Sequence, residues 1–323
     1  MHKDIYEKFK GYDEKSWLKI LFSTPDNNAI EGIRFPGFPD SELQIKIIGS
    51  SGVDSLREVS LFYLLIHQYL KAVGLPITAE TKALDFGCGY GRILRFFMKD
   101  IAPGKLIGTD VDPNFIDMCR RHFCGGDFDL NGPLPPLRYQ DASIDIIYSY
   151  SIFSHLSEGP HLKWLQEFKR ILKPEGLIFL TCRQESFLKQ CRSMTSIVDP
   201  PPYAAMLIKA FGDYEAMMKR YRRGEYIYAP HGGGGVRTND YYGDTVIPPM
   251  YIENVWRRHF HIVDSFDDPS RLAQSLVVLS KEPKTYSVDK LRASKINGIA
   301  HLARKILRKL AGFGALNLGG YKL

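Results

Sequence analysis

Apolar and polar residues follow two different periods along the middle of the chain, and the two periods alternate. Short apolar runs at residues 83–86, 106–108, 144–150 and 177–181 are typical of buried strands. A segment with apolar residues at helical spacing follows each of the first three runs. The pattern therefore predicts strands that alternate with helices through this part of the chain.

Capping residues and turn residues set the limits of these helices. Proline suits the first position of the helix predicted at residues 113–123. Serine, a common N-cap, begins the helix predicted at residues 157–172, and residues 173–176 predict a turn after it. Residues 124–143 have the composition of a loop, in which a third strand is poorly marked.

Two helical patterns precede the first strand, at residues 1–25 and 55–74. His67 lies on the apolar face of the second pattern, and we interpret it as a packed core histidine. Residues 26–53 are rich in glycine and proline and predict an irregular segment. This segment is either a lid over a binding site or a wrap on the surface.

Residues 184–248 interrupt the alternation, and a helix at 251–257 with strands at 260–263 and 275–279 resumes it. Aromatic rings with polar tips on a loop-rich insertion suit contacts with a sugar face or a flat ring. A small subdomain with its own aromatic core explains the composition equally well. The aromatic residues are Tyr203, Phe211, Tyr214, Tyr221, Tyr226, Tyr228, Tyr241, Tyr242 and Tyr251.

A glycine triplet follows the first strand directly, at Gly87, Gly89 and Gly91. Glycine adopts positive φ readily and lets a ligand approach the backbone, and the start of a helix adds free N–H groups. Asp110 lies at the end of the second strand, where a carboxylate can accept hydrogen bonds from a ribose diol. The arrangement predicts a nucleotide-type site at this edge of the sheet.

The triplet has the spacing G-x-G-x-G, and Asp85 stands two residues before it. This combination resembles motif I of the class I S-adenosylmethionine (SAM) dependent methyltransferases. Residues 141–149 resemble the fourth strand of that family, and residues 151–156 its post-strand loop. Residues 170–176 resemble its helix-to-turn segment, with Glu175 where glycine is more usual. The motif matches run from about residue 80 to residue 183, and the final strands extend the resemblance to residue 281.

The resemblance implies an α/β fold with a Rossmann-like, seven-stranded, mostly parallel sheet and helices on both faces, in which the last strand is antiparallel. It places a methyltransferase domain at residues 76–283, with a substrate insertion at 184–248. We expect residues 1–75 to be an N-terminal helical extension and lid, and residues 284–323 to be a basic amphipathic tail.

The resemblance also implies SAM as the cofactor and a role for individual residues. Asp85, Ser149 and Tyr150 would border the methionine end. Asp110 would bind the ribose, Val111 would pack on the adenine, and Asn131 or Asp129 would meet its amino group. The loop residues expected to line the cofactor are Phe86, Gly87, Cys88, Gly89 and Gly91.

An alcohol acceptor benefits from a general base, which is typically worth about 10²–10⁴ in rate. His155 follows the fourth strand and is the first candidate, and it also stands where the family often has a structural histidine. His231, just before the glycine run of the insertion, is the second. The five cysteines form no C-x-x-C pair, and no metal-ligand spacing is visible, so we expect free thiols, a reducing cytoplasm and no metal.

The region from Tyr241 to Phe260 and the post-strand loop resemble bacterial methyltransferases of polysaccharide and glycolipid assembly. This resemblance predicts O-methylation of a sugar hydroxyl or of a lipid-linked saccharide. Methylation of a small aromatic or quinone-like molecule is an alternative, and so is a scaffold that binds SAM without catalysis. Glycan or small-molecule substrates are therefore the expected partners.

Charge is concentrated at the end of the chain. The net charge is +7, yet residues 284–323 hold nine Lys or Arg against one Asp, and the remainder is near neutral. A near-neutral body makes nucleic acid an unlikely partner. Residues 296–310 predict a basic amphipathic helix that binds an anionic membrane surface, or docks on the body or on a second subunit. With no apolar run of membrane-spanning length and no signal peptide, we expect a cytoplasmic protein, peripheral at the inner membrane surface if the tail binds lipid.

Overall fold

The computed structural model describes residues 1–283, which fold as two compact units. Among these residues the first unit comprises residues 1–130 and 144–147. Its elements are α1 (His2–Phe9), α2 (Glu14–Ser23), β1 (Ala29–Ile30), β2 (Ile33–Arg34), α3 (Ser41–Ile48), α4 (Gly52–Ala72), β3 (Ala83–Phe86), a 3-10 helix (Leu94–Lys99), β4 (Leu106–Asp110), α5 (Pro113–His122), β5 (Asp127–Leu130) and the start of β6 (Ile144–Ser149).

The second unit comprises residues 131–143 and 148–283. Its elements after β6 are α6 (Glu158–Ile171), β7 (Leu172–Cys182), α7 (Glu185–Met194), α8 (Pro202–Phe211), α9 (Tyr214–Arg222), β8 (Ile227–Pro230), β9 (Gly243–Val246), α10 (Pro249–Val255), a 3-10 helix (Trp256–Arg258), β10 (His261–Phe266) and β11 (Ser275–Ser280).

Seven strands form one mostly parallel sheet in the order β10-β11-β7-β6-β3-β4-β5. Strands β3, β4 and β5 pair in parallel, with Ala83 opposite Leu106 and Gly108 opposite Phe128. Strand β11 runs antiparallel to both β7 and β10. The predicted Rossmann-like α/β fold is therefore confirmed, as is the antiparallel last strand.

Aromatic side chains form the core of the N-terminal helices. The buried Trp17 ring lies 5.6 Å from the ring of Phe9, and its indole N–H donates to the Phe96 carbonyl oxygen at 2.7 Å. The His67 ring stacks on Phe97, and its Nε2 lies 3.3 Å from a carboxylate oxygen of Asp100. The interpretation of His67 as a packed histidine is confirmed.

The prediction of an irregular segment at residues 26–53 is wrong over much of its length. Strands β1 and β2 form a short hairpin, and α3 follows them. Asp40 caps α3 by accepting from the backbone N–H of Leu43 at 2.7 Å, and Gly49 ends it with φ 77°. The density of Gly and Pro before Asp40 hid this helix, although its capping residues are typical ones.

Three elements of the central region also differ from the prediction. The glycine loop leads into the 3-10 helix Leu94–Lys99 rather than an α-helix, because all six of its residues are buried and packing decides its geometry. Residues 124–143 contain β5, whose single buried residue, Phe128, is too little to reveal a strand. Strand β7 includes the predicted turn at 173–176, although only Leu177–Cys182 pair with β11.

The insertion has a core of its own, built by α7, α8, α9 and the β8–β9 hairpin. Aliphatic and sulfur-containing side chains dominate this core, and Tyr203, Tyr214 and Tyr221 pack against it from the edge. The insertion thus has a buried core, which is less aromatic than predicted. The buried members are Phe187, Leu188, Cys191, Met194, Ala204, Leu207, Phe211, Met218, Ile227 and Val246.

The tail from residue 284 lies outside the described residues, so the amphipathic helix predicted at 296–310 stays a prediction. Among the helices of residues 1–283, none combines the length and the apolar character that a bilayer-spanning helix needs.

We expect Gly91→Ala to lower the free energy of unfolding by more than Gly104→Ala does. Both glycines have positive φ, 78° and 83°, so alanine at either costs about 1–2 kcal/mol. A Cβ at Gly91 would also lie 2.4 Å from the buried Phe123 ring, which adds about 1–3 kcal/mol of overpacking, whereas Gly104 has open space. Urea unfolding curves of the two variants measure the difference, and equal midpoints would contradict it.

Candidate functional site

The glycine loop between β3 and the 3-10 helix is held by backbone hydrogen bonds. Gly87 and Cys88 donate their N–H groups to the Thr109 carbonyl oxygen at 2.8 and 2.9 Å. Gly87, Gly89 and Gly91 have φ values of 78°, 52° and 78°, which glycine adopts readily. A Cβ on Gly89 would meet no atom within 4 Å, so the loop leaves open space at this position.

Asp110 ends β4 and ties the loop to the neighbouring strand. Its Oδ2 accepts from the N–H of Gly89 at 2.9 Å, and its Oδ1 accepts from the N–H of Asp112 at 2.9 Å. Asp112 in turn caps α5 by accepting from the N–H of Asn114 at 3.0 Å. The Asp110 carboxylate is therefore fixed in orientation at the end of β4.

Asp85 lies in the middle of β3 and is buried with no hydrogen-bond partner on Oδ2 among the described residues. Burial raises the pKa of this carboxyl well above its usual range, the charge of Asp110 raises it further, and Arg92 lowers it. A buried carboxyl without a partner is costly unless something pairs with it. This group is therefore suited to a cationic or hydrogen-bonding ligand.

The remaining residues expected at the cofactor occupy strand ends and loops. Phe86 ends β3 and Cys88 is buried in the loop, while Val111 follows β4 and is half-buried. In the second unit Ser149 ends β6, and Tyr150 follows it. Asn131 donates to the Gly132 carbonyl oxygen at 2.7 Å and leaves its buried Oδ1 without a partner in the described chain.

His155 lies in the loop after β6 and contacts strand β9 of the insertion. Its Nδ1 is 2.7 Å from the carbonyl oxygen of Gly243 and 3.3 Å from Oδ1 of Asp244. Because a carbonyl oxygen only accepts, Nδ1 carries the proton and Nε2 carries the lone pair. The Tyr242 ring stacks on the imidazole, with centroids 5.0 Å apart and planes 3° apart.

Asp244 is fully buried, and positively charged and polar neighbours balance the charge of its carboxylate. The Arg183 guanidinium makes a short ion pair with Oδ1, and the Tyr203 hydroxyl donates to the same oxygen at 3.0 Å. Burial alone would raise the pKa of this carboxyl, but Arg183 and the two histidines hold it well below its usual range. Asp244 is thus ionised throughout the physiological pH range.

The pKa values of the two candidate histidines are shifted in opposite directions. Burial and the charge of Arg183 lower the pKa of His155, against the opposing effect of Asp244. The Asp244 carboxylate raises the pKa of His231, whose Nε2 lies 2.8 Å from Oδ2. His155 is therefore the more neutral of the two near pH 7, and a neutral imidazole is the form that accepts a proton.

Three ligand-type atoms, one each from His155, His231 and Asp244, lie within 4.8 Å of one another. This corrects the expectation that the chain has no metal-ligand cluster, which sequence spacing could not reveal. Arg183 already neutralises Asp244 at this point. A divalent cation would place further positive charge beside a buried guanidinium, so the charge balance favours an acid–base cluster over a metal site.

Asp244 and Arg183 are the site residues that sequence reasoning missed, whereas Tyr203 and Tyr242 were among the aromatic residues expected at the acceptor. Asp244 lies in β9, whose other residues have short or branched side chains. A single acidic residue within a buried strand was the one sequence feature that could have indicated its role. The partners of Asp244 are distant in the chain, so no local pattern connects them.

We expect the stabilising effect of His231 to decrease with rising pH. A raised pKa in the folded protein means that its stabilisation is complete below the ordinary value near 6.5 and is lost above the folded value. The unfolding free energy of the wild type minus that of His231→Gln should be greater at pH 6 than at pH 8.5 by roughly 1 kcal/mol. Urea titrations at both pH values measure it, and a difference of the opposite sign would contradict the assignment.

The first-unit residues fit the SAM molecule that the sequence resemblance implies. The loop leaves space at Gly89, Asp85 offers a buried carboxyl in need of a partner, and Asp110 presents a fixed carboxylate at the end of the neighbouring strand. A carboxylate at the end of this strand is suited to a ribose diol.

Comparison with known proteins identifies the same region. Residues 83–176 match the family profile described as "Methyltransferase domain". The matched range begins at β3 and includes the glycine loop, Asp110 and His155. The chain therefore carries a methyltransferase domain, and the match supports SAM as its cofactor.

Individual relatives are similar over about a third of the chain. A protein named "Probable methyltransferase ltbC" from Aspergillus luteorubrus is 29% identical over 116 residues, which are 32% of this chain and 41% of that protein. Phosphoethanolamine N-methyltransferase of Triticum aestivum is 28% identical over 115 residues, 34% of this chain and 22% of that protein. The chain thus spans less than half the length of these curated relatives.

The solved structure of an S-adenosylmethionine-dependent methyltransferase from Mesorhizobium loti shares 14% identity with this chain. The alignment covers 68% of this chain and 99% of that one, with a TM-score of 0.43.

Proposed function

We propose that this protein, which carries a methyltransferase domain at residues 83–176, transfers a methyl group from SAM to a hydroxyl group. The single observation that carries the hydroxyl assignment is the geometry of His155. Its Nδ1 proton is engaged by the Gly243 carbonyl oxygen, and Nε2 has no hydrogen-bond partner among residues 1–283. An imidazole held in this tautomer is suited to accept the proton of an alcohol.

The residues of the first unit would hold the cofactor, which supplies a methyl carbon bonded to a positively charged sulfur. Asp110 would accept from the ribose hydroxyls, because its carboxylate is held in a fixed orientation at the end of β4. Asp85 would interact with the methionine end, where a nearby positive charge would lower its raised pKa. Glycine at position 89 lets the cofactor chain approach the backbone.

His155 would take the proton of the acceptor hydroxyl at Nε2 and later release it to solvent, while SAM would supply the methyl group and its sulfur would keep the electron pair of the broken carbon–sulfur bond. Its lowered pKa keeps the imidazole neutral near pH 7, so the base is ready before the acceptor arrives. His231 is the weaker candidate, because its raised pKa keeps more of it protonated and its Nε2 faces Asp244. We therefore assign the role of base to His155.

A sugar hydroxyl or a lipid-linked saccharide is the acceptor class we propose. Support comes from the half-buried tyrosines of the insertion, since Tyr242 stacks on His155 and Tyr203 lies 6.1 Å from His231, centroid to centroid. Tyrosine combines an apolar ring with a polar hydroxyl, the chemistry that suits the surroundings of a sugar. A small aromatic or quinone-like acceptor would use the same rings for stacking.

The test is transfer of label from methyl-labelled SAM into a fractionated extract of the source cells, with Asp110→Ala as the control. Label in glycan or lipid fractions that is absent with the control supports the proposal. Label in small aromatics, RNA or protein would keep the enzyme class and overturn the acceptor. SAM binding without transfer to any fraction would favour the non-catalytic scaffold.

The basic tail would add an anionic membrane surface as a partner. Residues 284–323 carry a net charge of +8, and each Lys or Arg near an anionic surface contributes about 1 kcal/mol. We expect the full chain to co-sediment with vesicles that contain anionic lipid, and a variant with Lys305, Arg308 and Lys309 changed to Gln to do so less. Equal sedimentation of the two proteins would contradict this partner.

A further inference from the structure

We infer that Asp244 is a positioning residue for His155. Strand β9 of the insertion would then contribute directly to the general base of the methyltransferase domain. This inference rests on the proposed function of His155. Three consecutive residues of the insertion contact one imidazole: Tyr242 stacks on its face, Gly243 accepts its Nδ1 proton, and Asp244 lies 3.3 Å from the same nitrogen.

Backbone hydrogen bonds fix the loop of His155 to β9. The N–H of Gly243 donates to the His155 carbonyl oxygen at 2.8 Å, and the N–H of Thr245 donates to the Ser154 carbonyl oxygen at 2.9 Å. The Thr245 hydroxyl also donates to the Leu156 carbonyl oxygen at 2.7 Å. The imidazole and the carboxylate therefore belong to one rigid group, and their separation is set by strand geometry rather than by flexible side chains.

Two buried charges act on His155 in opposite directions. The negative charge of Asp244 stabilises the imidazolium that forms when Nε2 takes a proton, and the positive charge of Arg183 destabilises it. Arg183 and the Tyr203 hydroxyl hold Asp244 from one side, and His231 faces its other oxygen. Asp244 thus supports proton transfer by charge, while the Gly243 carbonyl fixes the tautomer.

The opposition between the two charges gives a test that a purely structural role would fail. Asp244→Asn keeps the shape of the side chain and removes its charge, so the pKa of His155 should fall by about one unit. Arg183→Gln leaves the carboxylate unopposed, so the pKa of His155 should rise by a similar amount. Disruption of packing alone has no reason to shift the pKa in opposite directions.

The measurement is an NMR titration of the full chain labelled with ¹⁵N-histidine, with the His155 signals identified by their loss in His155→Gln. The wild type should show the proton on Nδ1 at neutral pH. Asp240→Asn is the matched control, because Asp240 is an exposed acid of the same insertion and should leave the His155 pKa unchanged. Arg183→Gln still reports the effect if Asp244→Asn fails to fold.

A second readout is the pH profile of methyl transfer into the labelled fraction. The acid limb should shift with the His155 pKa, to lower pH in Asp244→Asn and to higher pH in Arg183→Gln, and the plateau rate of Asp244→Asn should fall about tenfold. An unchanged His155 pKa, or a shift of the same sign in both variants, overturns the inference. A different outcome would overturn the proposed role of His155 instead. In that outcome the two variants shift the His155 pKa in opposite directions, but His155→Gln leaves the rate of methyl transfer unchanged.

Discussion

Replacing Asp110 with alanine is expected to lower the affinity for SAM by about 10²–10⁴-fold, the largest effect we predict for the cofactor site. Two hydrogen bonds from a ribose diol to a carboxylate are lost, each worth roughly 1.5–3 kcal/mol. The N–H groups of Gly89 and Asp112 also lose their acceptor, so the glycine loop becomes less ordered. Isothermal titration with SAM measures the change.

Asp112→Ala is the matched control for this prediction. Asp112 stands two residues further along and caps α5, so its loss costs about 1 kcal/mol of stability without removing the ribose ligand. We expect its affinity for SAM to stay within a few-fold of the wild type. If Asp110→Ala binds SAM as tightly as Asp112→Ala does, the ribose assignment is wrong.

Replacing His155 with glutamine is expected to lower the turnover of methyl transfer by about 10²–10⁴-fold, with the affinity for SAM unchanged. Glutamine keeps a hydrogen bond to Gly243 within reach but offers no basic nitrogen. The rate of the wild type should fall in acid as the imidazole becomes protonated, at a pH below the ordinary histidine value because burial and Arg183 lower its pKa. Initial rates of label transfer across the pH range measure both effects.

His231→Gln distinguishes the two candidate bases. It removes a neighbour of Asp244 and leaves the His155 tautomer intact, so we expect a decrease of less than about tenfold. A severe loss in His231→Gln together with a mild one in His155→Gln would transfer the role of base to His231.

The contact between the glycine loop and Asp110 was predictable because these residues are close in sequence. Gly87 and Gly89 follow β3 directly, and Asp110 ends the next strand, so a strand–turn–helix pattern brings them together in any sheet of this kind. The motif therefore specified the loop and the carboxylate, and its resemblance to the methyltransferase family implied the seven-stranded sheet. It did not specify the 3-10 geometry of Leu94–Lys99, because side chains buried on every side set the helix type there.

The acid–base cluster was only partly predictable, because it forms between distant segments. His155 and His231 were separate candidates in the sequence, and nothing there indicated that Asp244 joins them or that Arg183 neutralises it. Strand pairing of β9 with the loop after β6 makes these contacts.

The sequence by itself determined the fold class, the glycine loop and the carboxylates of β3 and β4, since these depend on local spacing. The tertiary structure alone decided the tautomer of His155, the opposite pKa shifts of the two histidines and the core of the insertion. Proton affinity depends on burial and on charges within a few ångströms, and those distances exist only after the chain has folded.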